Sequence, residues 1–87
     1  MIAVSYPITG GDYASAGSAS RNLKEHLKRL GVAADVIRRV MIAAYEAEMN
    51  VVIHAHGGNL WARLNSERVD LEVVDRGPGI PDVQLAL

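Results

Sequence analysis

The segment from Asp35 to His56 constrains the fold more than any other part of the chain. Most of its positions are apolar, and it continues for about six helical turns without glycine or proline. Such a segment predicts a helix that is buried on most sides, with Asp35 as its N-cap. The rest of the chain is then expected to pack around this helix.

A polar stripe runs along this predicted helix. At about 100° per residue, Glu46 and Asn50 lie on one side, with Arg39 and Ala43 in line and His54 slightly rotated. Polar groups in an apolar helix are costly unless they have partners. Glu46 and Asn50 therefore indicate either a pair satisfied by backbone or by Arg39, or the wall of a cleft. In a cleft, a carboxylate can act as general base and a carboxamide can bind Mg²⁺.

Other polar residues of the same segment give weaker indications. Glu48 falls in the predicted buried half, where only an ion pair or a position at the rim would explain it. His54 and His56 invite a metal hypothesis. A histidine in the last helical turn more often complements the helix dipole.

The N-terminal part predicts a strand followed by an amphipathic helix. Residues 2–8 are rich in Ile, Val and Tyr, which favours a strand. Pro7 indicates either that this strand lies at the edge of a sheet or that the strand ends there. Asp12 offers an N-cap for a helix that runs to about Leu30 and is closed by Gly31. Its apolar residues recur at spacings of three and four: Ala16, Ala19, Leu23, Leu27 and Leu30.

The C-terminal part predicts an antiparallel hairpin. Gly57-Gly58 ends the long helix, and residues 59–64 and 68–74 then alternate in polarity around a short polar turn. Each strand then has one apolar face, formed by Leu60, Ala62 and Leu64 in the first strand and by Val69, Leu71 and Val73 in the second. Trp61 lies on the other face of the first strand. The segment from Pro81 begins like a capped helix. The chain thus predicts a single α+β domain over residues 1–87, an α/β two-layer sandwich of two main helices on a small mixed or antiparallel sheet of about three strands.

A glycine-containing turn follows the second hairpin strand. Asp75 stands at the strand end, ahead of Gly77 and Gly79. Glycine allows the backbone to approach a ligand closely, and an acceptor-only carboxylate suits an exocyclic amino group such as that of adenine. No Gly-Lys-Ser/Thr follows, so this is not a P-loop, and the third glycine of the dinucleotide fingerprint is absent. The pattern alone is equally typical of an ordinary turn.

Composition narrows the classes of function. The chain has no cysteine, which excludes disulfides, thiolate metal sites and cysteine nucleophiles. A formal net charge of −1 gives no general attraction to nucleic acid or to an anionic membrane. The N-terminus does not resemble a signal peptide, and no apolar run approaches the roughly 18 residues of a membrane span. We expect a cytoplasmic location, with neither nucleic acid nor membrane as partner.

Two of these motifs, in this order, resemble a known family. The first is similar to the N box and the second to the first glycine box of the histidine-kinase-like (Bergerat-fold) ATPases. The matching residues are Glu46, Asn50, His54 and Ala55 in the first motif, and Asp75, Gly77, Gly79 and Ile80 in the second. Within the family, residues 75–82 and 55–58 are most similar to small bacterial anti-sigma factor serine/threonine kinases. The resemblance covers essentially the whole chain and implies a partial Bergerat fold.

The resemblance implies a role for each motif residue, with ATP and Mg²⁺ as cofactors. Glu46 is expected to be the catalytic carboxylate that activates a hydroxyl or water, and Asn50 to bind Mg²⁺ and the triphosphate. Asp75 is expected to accept a hydrogen bond from the adenine amino group. The other nucleotide-binding residues would be His54, Gly77, Gly79 and Ile80.

The resemblance also implies partners. Relatives transfer phosphate to a serine or threonine of an anti-sigma antagonist and act in sigma-factor pathways. They continue with a lid that carries a second glycine box, a helix and further strands, so we expect impaired turnover here and a sheet edge open to homodimer formation. Two alternatives stay open: a non-catalytic interaction module or dimer, and ATP hydrolysis without protein phosphorylation.

Overall fold

Two helices cover one face of a four-stranded antiparallel sheet in a computed structural model that describes residues 2–65, 68–76 and 83–86. The strands follow each other in the order β1-β2-β3-β4. In chain order the elements are β1 (Ile2–Thr9), a 3-10 turn (Tyr13–Ser15), α1 (Ser18–Arg29), α2 (Ala34–His54), β2 (Gly57–Leu64), β3 (Val69–Arg76) and β4 (Val83–Ala86). The predicted α+β class is confirmed.

The predicted hairpin is formed by β2 and β3, and the six residues predicted for its apolar faces are all buried on the helix side. Leu60 lies opposite Val73, and Ala62 lies opposite Leu71. All four side chains are buried. Side chains alternate between the two faces of a strand, so this register also places the side chain of Asp75, further along β3, on the helix side of the sheet. Burying each of the larger side chains contributes about 1.5–3 kcal/mol.

The opposite face of the sheet is polar. Arg63 forms an ion pair with Glu72, with 2.9 Å between Nη1 and Oε1. The same guanidinium lies 5.7 Å from the centre of the Trp61 ring, within reach of a cation–π contact. Trp61 therefore lies on the outer face, as the alternation predicts, and the helices pack on the other face only.

The predicted helix from Asp12 to Leu30 is divided into two parts. Asp12 caps only the 3-10 turn, where its Oδ1 accepts a hydrogen bond from the Ser15 N–H at 3.2 Å. Ala16 is then extended, Gly17 has a left-handed φ of 94°, and α1 starts at Ser18. The small residues of this region permit the break, because glycine takes a positive φ at no steric cost.

The last segment was predicted to begin a helix, and this prediction is wrong. Val83–Ala86 forms β4, which pairs antiparallel with β3 so that Val83 lies opposite Val73. Pairing satisfies backbone groups of β3 that would otherwise form a free edge. The sheet therefore has four strands rather than about three, and β1 and β4 are its outer strands in the described part of the chain.

The long helix is shorter and more exposed than predicted. It begins at Ala34, ends at His54, and leaves Gly57-Gly58 to start β2. Ala33 is the N-cap and Asp35 lies in the first turn, so Asp35 is not the cap. The buried face of α2 comprises Ile37, Val40, Ala44, Ala47, Glu48, Val51 and Val52. The other half faces solvent.

Candidate functional site

Glu46 and Asn50 lie on the exposed side of α2. They are one helical turn apart, as predicted, and both are exposed to solvent. His54, at the last position of the helix, is exposed as well. Because these side chains reach solvent, they need no internal partner, and this arrangement removes the cost of burial that the sequence pattern raised. They form one wall of an open surface.

Asp75 lies near the end of β3 and points toward the helix layer. It has the same parity as Leu71 and Val73, both of which are buried beneath the helices. Its side chain is partly buried, and among the described residues its Oδ2 atom is buried without a hydrogen-bond partner. A buried acceptor without a donor is costly and therefore uncommon in a folded protein. This oxygen is placed to accept a hydrogen bond from a bound group.

Gly58 is the residue directly across from Asp75 on β2. A Cβ atom at Gly58 would lie 2.3 Å from the carbonyl oxygen of Val74 and 3.0 Å from the Cα of Asp75. The two strands thus approach each other too closely for any side chain here. Because Gly58 has no side chain, only backbone lines the helix-facing side of the sheet beside the Asp75 carboxylate. A flat ligand can approach such a surface closely.

Hydrogen bonds tie the end of α2 to the end of β3. The N–H of His56 donates to the carbonyl oxygen of Arg76 at 3.0 Å, and the carbonyl of His56 accepts from the N–H of Gly10 at 3.1 Å. Asp75 is therefore next to the C-terminal end of α2. At 1.5 Å per residue, Asn50 lies about 6 Å and Glu46 about 12 Å back along the helix axis from His54, the last residue of α2.

Gly10 makes this junction compact. A Cβ at Gly10 would lie 2.0 Å from the carbonyl oxygen of Ala55. Its neighbour Gly11 donates its N–H to the carbonyl oxygen of Val52 at 2.8 Å. The loop after β1 is thus held against the last turn of α2, which fixes the position of the helix end relative to the sheet.

The site opens on the side of α2 that is turned away from α1. Helix α1 packs over β1, and α2 packs over β1, β2 and β3. Glu48 marks the side of α2 that faces α1, because its carboxylate is bonded to the start of that helix. Glu46 and Asn50 each lie two residues from Glu48, about 160° around the helix axis. The exposed wall of α2 and the Asp75 end of β3 thus belong to one surface.

Three predicted site residues, Gly77, Gly79 and Ile80, lie outside the described residues. Of the other four, Glu46, Asn50 and His54 lie along the exposed side of α2, and Asp75 lies on β3 beside Arg76, whose carbonyl accepts the His56 N–H just after that helix. Across residues 2–65, 68–76 and 83–86, no group of three or more His, Cys, Asp or Glu side chains is placed to hold a metal ion. His54 and His56 belong to no such group.

The sequence patterns missed the role of Glu48. This carboxylate is 1% exposed and holds the first turn of α1, so its role is structural. Two features of the sequence indicate this role. A charged residue in the buried half of a helix requires hydrogen-bond donors. The Gly17–Ser20 stretch supplies such donors, because the N–H groups at the start of α1 have no N-cap side chain to accept their hydrogen bonds. Gly58 was noticed only as a helix terminator, although it lies opposite Asp75.

A small cleft of about 220 Å³ lies on the α1 side of α2, between β1 and the 3-10 turn. It is lined by Thr9, Asp12, Ser15, Ser18, Glu48 and Val52, among others. It contains none of the predicted site residues. Glu48, its one deeply buried charged group, already has partners, so this cleft gives no competing assignment for the site.

Comparison with known proteins identifies a family for this chain. A family model described as the histidine kinase-like ATPase domain matches residues 11–87. No curated protein and no solved structure gives a significant match. None of the helices among the described residues has the length and apolar character needed to cross a membrane.

Proposed function

Because the chain belongs to the family of histidine kinase-like ATPase domains, with residues 11–87 matched, we propose that it is a serine/threonine protein kinase domain of the anti-sigma regulatory type. Family membership itself gives an ATP-binding domain. The kinase reaction and its acceptor, a serine or threonine of an anti-sigma antagonist, are the finer part of the proposal. They rest on the likeness of residues 75–82 and 55–58 to that branch of the family.

The observation that carries the nucleotide site is the unpartnered oxygen of Asp75. Its Oδ2 atom is buried, accepts no hydrogen bond in the described structure, and lies beside the bare backbone of Gly58. An ionised carboxylate can only accept hydrogen bonds, so its natural partner is a donor such as the adenine amino group. In this proposal the adenine ring lies over Gly58, and Gly77, Gly79 and Ile80 complete the pocket.

The remaining residues take their roles from their order along α2. Asn50 lies about 6 Å from the end of α2, the end next to Asp75, where the phosphates of a nucleotide extending along α2 would lie. Its amide oxygen is a donor atom that Mg²⁺ accepts, and the ion would neutralise phosphate charge during transfer. His54 is the last residue of α2, between Asn50 and the Asp75 end of β3 along the chain, and in this proposal it contacts the ribose or the phosphates.

Glu46 is one turn further from the adenine position than Asn50. Its exposed carboxylate can accept the proton of an incoming serine or threonine hydroxyl as the oxygen attacks the γ-phosphorus, while the bond from that phosphorus to the β–γ bridging oxygen breaks and ADP leaves. In phosphoryl transfer most of the rate enhancement comes from positioning and charge stabilisation. The same carboxylate could orient water, which would give ATP hydrolysis instead.

Calorimetric titration with ATP and ADP, with and without Mg²⁺, tests the nucleotide site. We expect saturable binding by the parent chain and at least about tenfold weaker binding by Asp75→Asn, a loss of 1.4 kcal/mol or more. Asp70→Asn is the matched control, because Asp70 lies on the same strand but on its opposite face. Equal weakening by both variants, or no binding by the parent at millimolar nucleotide, would contradict the proposal.

A specific observation favours a second candidate, a non-catalytic interaction module. Three large apolar side chains of α2 are exposed, Ile42, Tyr45 and Ile53, at 63%, 50% and 51%. Single exposed apolar groups are common, but several on one helix are typical of a surface that another chain covers. Phosphate transfer distinguishes the two: label on a protein serine supports the kinase, free phosphate supports hydrolysis, and nucleotide binding without either supports the module.

A further inference from the structure

A groove between α1 and α2 is lined by none of the residues of the candidate nucleotide site. Its volume is about 580 Å³, and its apolar part includes Met41, Ile42 and Tyr45. Met41 lies about 180° around the helix axis from Asn50, and Tyr45 about 140° from it. Ile42 lies closer to the candidate site, about 40° around the axis from Glu46 and one turn before it, so the groove borders the wall that carries Glu46. The groove is lined by none of the candidate nucleotide-site residues, and an inference about it does not rest on the proposed function.

The apolar character of this groove is not explained by packing within the described chain. The side chain of Ile42 is 63% exposed and that of Tyr45 is 50% exposed, although both border a concave surface. Isolated apolar groups are common on protein surfaces, but a connected set that lines a groove between two helices is typical of a binding surface.

The rim of the groove is positively charged. Lys24 and Lys28 lie one turn apart on α1, and Arg38 lies on α2; all three are exposed. None of the residues that line the groove carries a carboxylate. The whole chain has a formal net charge of −1, so this concentration of cations is local. A partner that carries carboxylates beside an apolar stripe would match both features.

We propose that the groove binds an acidic amphipathic helix of another protein. A helix laid along the groove places apolar side chains between Met41, Ile42 and Tyr45. Carboxylates at positions i and i+4 of that helix have the same spacing as Lys24 and Lys28. Mixed apolar and ionic contacts of this kind give register as well as affinity.

Charge and shape argue against two other occupants. A second copy of this chain, docked through the same face, would bring the three cations of one molecule against those of the other. An anionic membrane is usually recognised by four to eight basic residues on a convex or flat surface. Here three cations surround a concave surface, which fits inserted side chains better than lipid head groups.

The test uses the full 87-residue chain labelled with ¹⁵N and a synthetic peptide as the probe. The peptide has about 16 residues, roughly four helical turns, with Leu on one face and Glu at i and i+4 beside it. We expect saturable shifts of amide signals around Lys24, Lys28, Met41, Ile42 and Tyr45. Affinity should fall several-fold when the salt concentration rises from 0.05 to 0.5 M, because the ion pairs are exposed.

Matched variants assign the binding to this surface. Lys24→Glu/Lys28→Glu should weaken the peptide at least about tenfold, and Ile42→Gln several-fold, since both remove contacts made only in the complex. Arg39→Glu reverses the charge of an exposed residue of α2 outside the groove and should change the affinity by less than about twofold. Circular dichroism of each variant verifies that the helices are intact.

Several results would overturn the proposal. One is equal binding of a peptide in which every Glu is replaced by Lys. Another is unchanged affinity in Lys24→Glu/Lys28→Glu. Shifts of the groove signals with phosphatidylserine vesicles but not with the peptide would identify a membrane surface, and concentration-dependent shifts of the same signals without peptide would identify self-association.

Discussion

The Glu48 carboxylate on α2 holds Ser20 in the first turn of α1 through two hydrogen bonds. Oε1 of Glu48 accepts from the Ser20 N–H at 2.9 Å and from its Oγ at 2.7 Å. Oε2 accepts from the N–H groups of Gly17 at 2.9 Å and Ala19 at 3.2 Å. A residue of one helix thus satisfies the free N–H groups at the start of another and places a negative charge at the positive end of its dipole.

Removal of this contact is expected to destabilise the domain strongly. Glu48→Ala leaves three buried N–H groups and one hydroxyl without acceptors, each costing about 1 kcal/mol or more. We expect a loss of at least about 3 kcal/mol in the free energy of unfolding, measured by urea titration. Glu48→Gln should lose less, because the amide oxygen still accepts while the charge is gone.

Glu46→Ala is the matched control for this prediction. It removes the same side chain from the same helix, but at an exposed position. Its free energy of unfolding should stay within about 0.5 kcal/mol of the parent value. If the two alanine variants were equally stable, Glu48 would not be the group that holds α1 in place.

Glu48 also shows where sequence reasoning reaches its limit. The hydrophobic periods of α2, β2 and β3 were predictable because each element buries one face, and Leu60 and Val73 lie where alternation places them. Helical geometry likewise put Glu46 and Asn50 on one side. The partner of Glu48 is 28 residues away along the chain at Ser20, and no local pattern encodes that distance. The strand at Val83–Ala86 was missed for the same reason, because pairing with β3 overrides the local helix-start signal.

The two polar residues of α2 should have separable effects on the nucleotide. Asn50→Ala removes the proposed Mg²⁺ ligand, so we expect the difference in ATP affinity with and without Mg²⁺ to shrink at least about fivefold. Glu46→Gln should leave that difference within about twofold and lower phosphate transfer or hydrolysis at least about a hundredfold where the parent shows turnover. Calorimetry and a phosphate assay on the same samples check both. Identical behaviour of the two variants would contradict the assigned roles.

Asp75→Asn should separate stability from binding. The buried Oδ2 atom has no hydrogen-bond partner in the described structure, so the substitution breaks no bond at that atom. We expect the free energy of unfolding to change by less than about 1 kcal/mol, in contrast with the larger loss of ATP affinity. Urea titration without nucleotide provides the value. A loss of several kcal/mol would instead identify Asp75 as a residue that supports the fold.

Gly58→Ala is expected to damage both the sheet and the site. The added Cβ would lie 2.3 Å from the carbonyl oxygen of Val74, a backbone atom that cannot rotate away. We expect a loss of about 1–3 kcal/mol, typical of overpacking, together with weaker ATP binding as β3 shifts at Asp75. Gly11→Ala is the comparison: its φ of 77° is strained for alanine, but no atom lies within 4 Å. Gly11→Ala should lower the free energy of unfolding without lowering the affinity for ATP. If both variants lost the same ATP affinity, the loss in Gly58→Ala would not come from a displacement of the backbone beside Asp75.

Stability at high pH should depend on Tyr6. Burial raises the pKa of its phenol above 10.0, and the nearby charge of Arg29 opposes part of that rise. The unfolded chain therefore releases this proton first, so the contribution of Tyr6 is fully present below pH 10 and is lost as the pH rises through the folded-state value.

Replacing the phenol isolates this contribution. We expect the difference in free energy of unfolding between the parent and Tyr6→Phe to be constant from pH 7 to 9. Above pH 10 the parent should lose stability relative to Tyr6→Phe, as measured by urea titration at each pH. Tyr13→Phe is the control, because it removes the same hydroxyl from a side chain that is 63% exposed. If Tyr6→Phe and Tyr13→Phe gave the same profile, the buried phenol would not be the origin of the loss. A steeper loss in the parent alone would show that the Tyr6 side chain remains partly buried against the core in solution.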